Sequence, residues 1–316
     1  MPSSVPHAID APHHPDALAP ERIARVDVDG IGLCVYEWGP RDATPLLLAH
    51  GLWDTARGFD AFARHFAADF RVVAFDARGH GDSDWADAYP WSMDVRDIGA
   101  LLAWIGTPAH VVGHSRGGGL AMDAAVAFPE RVRSIVDIDG FGPPEGGFRL
   151  ADEAPTPERH PADGCAEFLD HMRVLAERGF AWRPYPTLDA LLARRAAQNP
   201  RIPAAWMRYF GFHCARATED GWVWKVDPLT AAGHGPWHAS WIAPLWKGLR
   251  APVLALTGDT PDAWGPCDEA TLQARLRFVP ASQWRRAVVA DAGHFVHMEH
   301  PAETARVVRA FLEEVS

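Results

Sequence analysis

Past residue 20 the chain changes rhythm. Arg22 to Trp38 alternates apolar and polar positions around Asp29-Gly30, which predicts a β-hairpin. Downstream, 45–50 (PLLLAH), 71–76 (RVVAFD), 110–113 (HVVG) and 132–138 (VRSIVDI) are short, nearly continuous apolar runs. Helix-length segments such as 94–105 and 118–128 separate them. Short strands buried on both faces and alternating with helices predict an α/β fold, a mostly parallel central sheet flanked by helices.

From 141 to 250 this alternation stops. The opening Gly140-Phe-Gly-Pro-Pro-Glu-Gly-Gly147 reads as a linker. The text beyond it has helical tendency and carries Trp182, Trp206, Trp222, Trp224, Trp237, Trp241 and Trp246. Strand-like runs resume at 252–257 (PVLALT) and 286–290 (RAVVA), and a helix over 301–315 closes the chain. The expected organisation is therefore a core over 21–140 and 251–316 with a helical insertion over 141–250. Residues 1–20, rich in Pro, Ala and His without periodicity, are expected to form a flexible tail.

Composition narrows the field. A net charge of −11 argues against a general phosphate-binding surface, so no nucleic-acid partner is expected. No apolar run approaches the ~20 residues of a membrane span, and residues 1–20 lack the charged-then-apolar order of a signal peptide. Cys34, Cys165, Cys214 and Cys267 lie far apart and are expected as reduced thiols, which fits a cytoplasmic protein.

The sharpest chemical feature is Gly113-His-Ser115-Arg-Gly117, set between an apolar strand and an apolar helix. A sharp strand-to-helix turn needs small flanking residues and lifts the serine hydroxyl above the sheet edge. The following helix directs its first N–H groups at the same point, favouring a developing anion. A serine needs a base, and Asp291-Ala-Gly-His294 past the last apolar run supplies one on a strand-end loop. His294, His297 and His300 recur at spacing three, yet a helical metal pair usually carries its acid between the ligands, and no further ligand cluster stands out. No metal is expected, and His297 and His300 are read as surface or supporting residues.

With these segments in order, the chain resembles the α/β-hydrolase superfamily from about Arg22 to Ser316, with the insertion as a cap after the sixth strand. His50-Gly51-Leu52-Trp53 resembles the family's oxyanion-loop motif, and Asp76-Ala-Arg-Gly-His-Gly-Asp-Ser83 its loop after the next strand. Gly293-His-Phe295 with Glu299-His-Pro301 is similar to its catalytic-histidine segment. The resemblance implies a serine nucleophile at Ser115, a base at His294, and an oxyanion hole from the N–H groups of Leu52 and Arg116. It implies no cofactor.

The triad acid stays open at this point. Many relatives place it after the seventh strand, three residues beyond a Gly; here that position in Gly258-Asp259-Thr260-Pro261-Asp262 is proline. Capped relatives carry an acid–Gly–apolar–Gly segment at the end of the sixth strand, where this chain has Ile135-Val-Asp137-Ile-Asp139-Gly-Phe141-Gly. Asp139, nearer the carboxyl end than Asp137, ranks first, with Asp262 and Asp259 as alternatives. Trp53 and Phe141 are the pocket candidates, and the Arg116 side chain is expected to pair with the cap in preference to an acidic substrate. Asp76, Arg78 and Asp82 are expected in loop hydrogen bonds, and Glu299 as a helix-start charge.

The reading is a serine hydrolase acting on a small to medium hydrophobic ester, as a monomer or homodimer. Alternatives are a carbon–carbon bond hydrolase or perhydrolase of the same fold, or a ligand receptor with little turnover. The run Gly117-Gly118-Gly119 suits a perhydrolase, whereas the long insertion does not. Ser115 argues against relatives with an aspartate nucleophile.

Overall fold

A computed structural model of the chain describes residues 11–142, 161–179, 181–233, 235 and 242–316. Its strands are β1 (Arg22–Val28), β2 (Ile31–Trp38), β3 (Thr44–Ala49), β4 (Phe70–Phe75), β5 (Ala109–His114), β6 (Val132–Ile138), β7 (Ala215–Thr218), β8 (Gly221–Trp224), β9 (Val253–Gly258) and β10 (Trp284–Val289). Eight of them form one sheet in the order β1-β2-β4-β3-β5-β6-β9-β10. β1 and β2 form the expected hairpin, with Asp29 (φ 54°) and Gly30 (φ 85°) both left-handed, as a two-residue primed turn requires. β2 also runs antiparallel to β4, and every other pairing in the sheet is parallel.

The continuous apolar runs are explained by what covers each face. Leu47, Val111, Ile135, Val253 and Ala255 enter one core cluster, and Leu46, Leu48, Val112, Val136, Leu254 and Leu256 enter another on the opposite face. Successive strand residues point to opposite faces, so both must be apolar when both are covered. Each Leu, Ile or Val among them contributes about 1.5–3 kcal/mol by leaving water.

The helices are α1 (Asp60–Ala63), α2 (Trp91–Ile105), α3 (Arg116–Ala127), α4 (Pro161–Arg178), α5 (Leu188–Gln198), α6 (Ala204–His213), α7 (Glu269–Leu276), α8 (Val296–Glu299) and α9 (Pro301–Glu314). Helices α2, α3 and α7 cover the first face and α1 and α9 the second. α2 ends at Gly106 (φ 87°), whose N–H donates to the Leu102 carbonyl. α9 buries Thr304, Ala305, Val308, Phe311 and Leu312, one stripe at helical spacing. Among the described residues, no helix is long and apolar enough to cross a membrane.

Between β6 and β9 lie α4, α5 and α6, together with the hairpin β7–β8, which a purely helical expectation did not contain. Trp222-Val223-Trp224 forms one arm, entered through Gly221 at φ 131°. The linker beyond Phe141-Gly142, and Trp237 and Trp241, lie outside the described residues. Trp206, Trp222 and Trp246 are buried.

Residues 11–20 differ from the flexible tail expected of them. The Leu18 N–H donates to the Asp60 carbonyl at 3.2 Å, and the Leu18 carbonyl accepts the Trp38 indole N–H at 2.8 Å. His14 sets its ring edge-on to Trp206 at 5.0 Å. One backbone bond, one indole bond and a ring contact suffice to dock a segment that has no periodicity of its own. Cys34, Cys214 and Cys267 are free thiols, while the Cys165 side chain lies outside the described residues.

Candidate active site

The turn between β5 and α3 holds Ser115 at φ 53°, ψ −124°, a conformation an L-residue adopts only when its surroundings enforce it. The Ser115 N–H donates to the Ile138 carbonyl at 2.8 Å, and its carbonyl accepts the Gly118 N–H at 2.8 Å. The flanking glycines follow from close approach. A Cβ on Gly113 would stand 2.2 Å from the Gly117 carbonyl oxygen, and one on Gly117 would stand 2.2 Å from that of Ala49. Gly140 is constrained likewise, because a Cβ there would meet the Ser115 carbonyl oxygen at 2.3 Å.

His294 and Asp139 meet at the carboxyl end of the sheet, both buried. His294 Nδ1 and Asp139 Oδ2 are 2.5 Å apart, and Asp139 Oδ1 accepts the Cys267 N–H at 2.7 Å. A carboxylate accepts only, so Nδ1 carries the proton and, in the neutral ring, Nε2 is left bare. Burial alone would depress the basicity of this imidazole. The Asp139 hydrogen bond and charge outweigh it, and the His294 pKa is raised above its usual value.

The other candidate acids touch the same loop at different atoms. Asp262 Oδ2 accepts the backbone N–H of His294 at 2.8 Å, while its Oδ1 accepts the N–H groups of Trp264 (2.7 Å) and Gly265 (3.0 Å). Asp259 accepts the N–H of Asp291 at 2.9 Å. Gly293 faces the same carboxylate, since a Cβ on it would lie 2.3 Å from Asp262 Oδ2. Asp137 lies within β6, whereas Asp139 stands just beyond it at φ 51°, and Asp137 accepts the Gly140 N–H at 2.7 Å. Burial raises its pKa well above the usual carboxylate value, and the Gly140 bond makes it a brace of the turn.

No hydrogen bond joins Ser115 Oγ to His294 in this structure. A nucleophile–base bond is often long in a ligand-free site and closes in the substrate complex.

The loop after β3 is fixed through His50. Its Nε2 accepts the Ala77 N–H at 2.9 Å, so Nδ1 carries the proton given to the Gly51 carbonyl at 2.7 Å. Burial lowers its pKa to about 4, keeping the ring neutral. A Cβ on Gly51 would lie 3.3 Å from Ser115 Cβ, which places this turn against the serine. Leu52 follows directly, and Arg116 opens α3, where the first N–H groups have no acceptor within the helix.

Trp53 bridges to the insertion. Its backbone N–H donates to His80 Nε2 at 3.2 Å and its indole N–H to Thr230 Oγ1 at 3.1 Å. Phe141 departs from the expectation of a pocket wall. Its ring is 1% exposed and packs edge-on against Trp246 at 6.4 Å, because the chain turns under α3 directly after Gly140. The Arg116 side chain, expected to pair with the cap, has Asp94 of α2, a core helix, as its ion-pair partner among the described residues.

Asp76 accepts the Tyr36 hydroxyl and the N–H groups of Ala56 and Asp82, and Arg78 forks onto Asp97, as loop-holding residues should. Glu299 instead ends α8, where it accepts from Arg201 and from the Gly293 N–H and so braces the histidine loop. His297 is buried against His114 and Phe59, with ring centroids 4.5 and 4.6 Å away. His300 Nε2 approaches the Asp291 carbonyl at 3.1 Å.

Sequence reading missed Cys267, Gly265 and the Asp54–Arg195 pair. For Gly265 the one signal was its place in a Gly-Pro-Cys run shortly after the acids at the end of β9. A Cβ there would stand 2.3 Å from Asp139 Oδ2.

The profile of the alpha/beta hydrolase family matches residues 46–307. Lipase LipV of Mycobacterium tuberculosis is 31% identical over 183 residues, a match spanning 56% of this chain and 66% of that enzyme. The 2-(acetamidomethylene)succinate hydrolase of Mesorhizobium japonicum is 26% identical over 92% of this chain and 94% of its own. Among solved structures, the thioesterase domain from the curacin biosynthetic pathway superposes with a TM-score of 0.76 at 19% identity, covering 91% of this chain and 98% of that domain, a likeness of fold.

Proposed function

The chain belongs to the alpha/beta hydrolase family, and on that premise we propose that it is a cofactor-free serine hydrolase of small to medium, uncharged carboxylic esters. The observation that carries the proposal is the contact between His294 Nδ1 and Asp139 Oδ2 beside the strained Ser115 turn. Ser115 Oγ attacks the acyl carbon as His294 Nε2 takes its proton. The N–H groups of Leu52 and Arg116 receive the oxyanion, and each such donor is worth about 10²–10³ in kcat. His294 then returns the proton to the departing alcohol. It next takes one from a water molecule, which attacks the acyl-serine and releases the acid. Asp139 stays ionised throughout and stabilises the imidazolium.

The preference for an uncharged ester is supported by what the arginines around the site already hold. Arg116 is committed to Asp94, Arg78 to Asp97, Arg195 to Asp54 and Arg57 to Asp60, all buried acids. Recruiting any of them to a substrate carboxylate would strand a buried charge at several kcal/mol. The segment 141–250 acts in this reading as the cap, and Trp53, tied to Thr230, contributes to its wall.

The test is labelling by a fluorophosphonate probe alongside hydrolysis of p-nitrophenyl esters of graded chain length. One label per chain and multiple turnover are expected, with both abolished in Ser115→Ala. A wild-type protein that neither labels nor turns over any ester in the series would sink the proposal.

A further inference from the structure

The turn that carries Leu52 is held from outside the core. Arg195 lies on α5, in the insertion, with its side chain only 12% exposed. It donates to Asp54 Oδ1 at 2.5 Å and to the Trp53 carbonyl at 3.3 Å. Its guanidinium sits between two rings, 5.8 Å from Phe210 of the insertion and 5.7 Å from Phe295, the neighbour of His294. One insertion side chain thus grips two successive residues of the turn.

Two independent features indicate that the grip is needed. Asp54 is 1% exposed, and a buried carboxylate keeps its charge only beside a compensating cation. Arg195 is that cation and holds the Asp54 pKa well below the usual range against the effect of burial. Trp53 meanwhile sits at φ 58°, which a bulky residue adopts only where neighbours over-determine it. Two of the contacts that do so, Arg195 on its carbonyl and Thr230 on its indole, come from the insertion. On its inner side the turn meets the catalytic elements: a Cβ on Gly51 would touch Asp54 Oδ2, His114 Nδ1 and Ser115 Cβ within 3.0–3.3 Å. His114 Nε2 in turn donates to the His294 carbonyl at 3.0 Å.

We propose that Arg195 is a positioning residue which sets the Gly51–Asp54 turn, and with it the Leu52 N–H, so that docking of the insertion and completion of the oxyanion hole are one event. The kinetic part rests on the serine hydrolase reading above, whereas the clamp itself is a statement about the turn. A donor displaced by about 1 Å costs up to roughly a hundredfold in rate while leaving ground-state binding intact.

The test compares wild type, Arg195→Met, Arg195→Lys and the double variant Asp54→Asn/Arg195→Met, which removes both buried charges should the single variant fail to fold. Rates with p-nitrophenyl acetate are divided by active sites counted with the fluorophosphonate, and amide exchange is followed across residues 50–55 and across β5. For Arg195→Met the expected result is kcat per site lower by about 10- to 100-fold with KM within about twofold. Exchange should rise at 50–55 and not in β5, and Arg195→Lys should recover part of both.

Exchange at 50–55 equal to wild type, or raised equally across β5, overturns the clamp. So does kcat per site within twofold of wild type in a labelled protein. Should wild type neither label nor turn over, the hydrolase reading falls instead, and exchange at 50–55 decides the clamp alone.

Discussion

The ends of β6 and β9 are neighbouring strands' carboxyl ends, and both are rich in acids that reach the same histidine segment. They use those acids differently. From β6, Asp139 addresses the imidazole itself, at Nδ1. From β9, Asp262 addresses the peptide N–H of His294, and Asp259 the N–H of Asp291. The first contact sets the tautomer and charge of the ring, and the other two set where its backbone runs. An acid near a catalytic histidine therefore says little until the accepting atom is named, and the three positions should separate in their kinetics.

The largest separation is expected at Asp139→Asn. Asp139 accepts on both oxygens, from Cys267 N–H and from His294 Nδ1. An asparagine that keeps the Cys267 bond must turn its NH₂ toward Nδ1, which drives the ring proton to Nε2 and, in the proposed mechanism, removes the base that serves Ser115. The comparable change in the serine-protease triad costs about 10⁴ in kcat, and a fall of 10²–10⁴ is expected here, with KM little changed. The pH profile gives an independent reading. With Asp139 present the histidine pKa is raised, so in wild type the rising limb of kcat/KM should lie above the free-histidine value of about 6.5. Without the carboxylate, burial dominates and the limb should move to lower pH as its plateau drops. A variant with an unmoved limb and near-wild-type kcat would transfer the role of triad acid to β9.

Much of this site was legible in the chain. The glycines at 113 and 117, the apolar strand before them and the helix after them place Ser115 because backbone sterics at such a turn are local. His294 was legible for a related reason, since Gly293 leaves no side chain to collide with Asp262. The acid was legible only as a ranking, Asp139 ahead of Asp262 and Asp259, because sequence spacing cannot say which oxygen of which loop reaches which nitrogen across 155 residues. Phe141 misled for the same reason. Proximity to Asp139 along the chain suggested a pocket, while the turn at Gly140 sends the ring into the core. The Arg195–Asp54 pair joins positions 141 residues apart and has no local signature at all.

A smaller, mixed effect is expected at Asp262→Asn. Asp262 serves three N–H donors with two oxygens, and asparagine offers only one acceptor oxygen. Either His294 or the Trp264–Gly265 pair loses its partner. Losing a charge-assisted bond in a partly buried site costs roughly 1–3 kcal/mol, so thermal unfolding should show a clear fall in Tm. kcat should decline by roughly three- to thirtyfold as the loop drifts, with the pH limb moving to lower pH by less than in Asp139→Asn, because the Asp262 charge adds to the raised His294 pKa while Asp139 still faces the ring. A shift of the limb comparable to that of Asp139→Asn would mean that both acids act on the imidazole, and the contrast between the strand ends would collapse.

The smallest effect is expected at Asp259→Asn, and it tests whether acid content at the end of β9 matters at all or only acceptor geometry. Asp259 is exposed, and among the described residues its side chain receives the Asp291 N–H at Oδ1, a bond an asparagine oxygen can accept equally well. The backbone on both sides is independently tied, Asp259 N–H and Thr260 N–H both donating to the Ala292 carbonyl. An exposed substitution that preserves its acceptor usually stays within about 0.5 kcal/mol, so kcat, KM and Tm should all match wild type closely. Asp259→Ala, which removes the acceptor beside Asp291 at φ 58°, should cost more than Asp259→Asn, because that left-handed residue then loses its tie to β9. Were the asparagine variant as damaged as the alanine one, the charge of Asp259 would be acting on His294 at a distance, and a carboxylate at this position would have to be counted with Asp139 in setting the base.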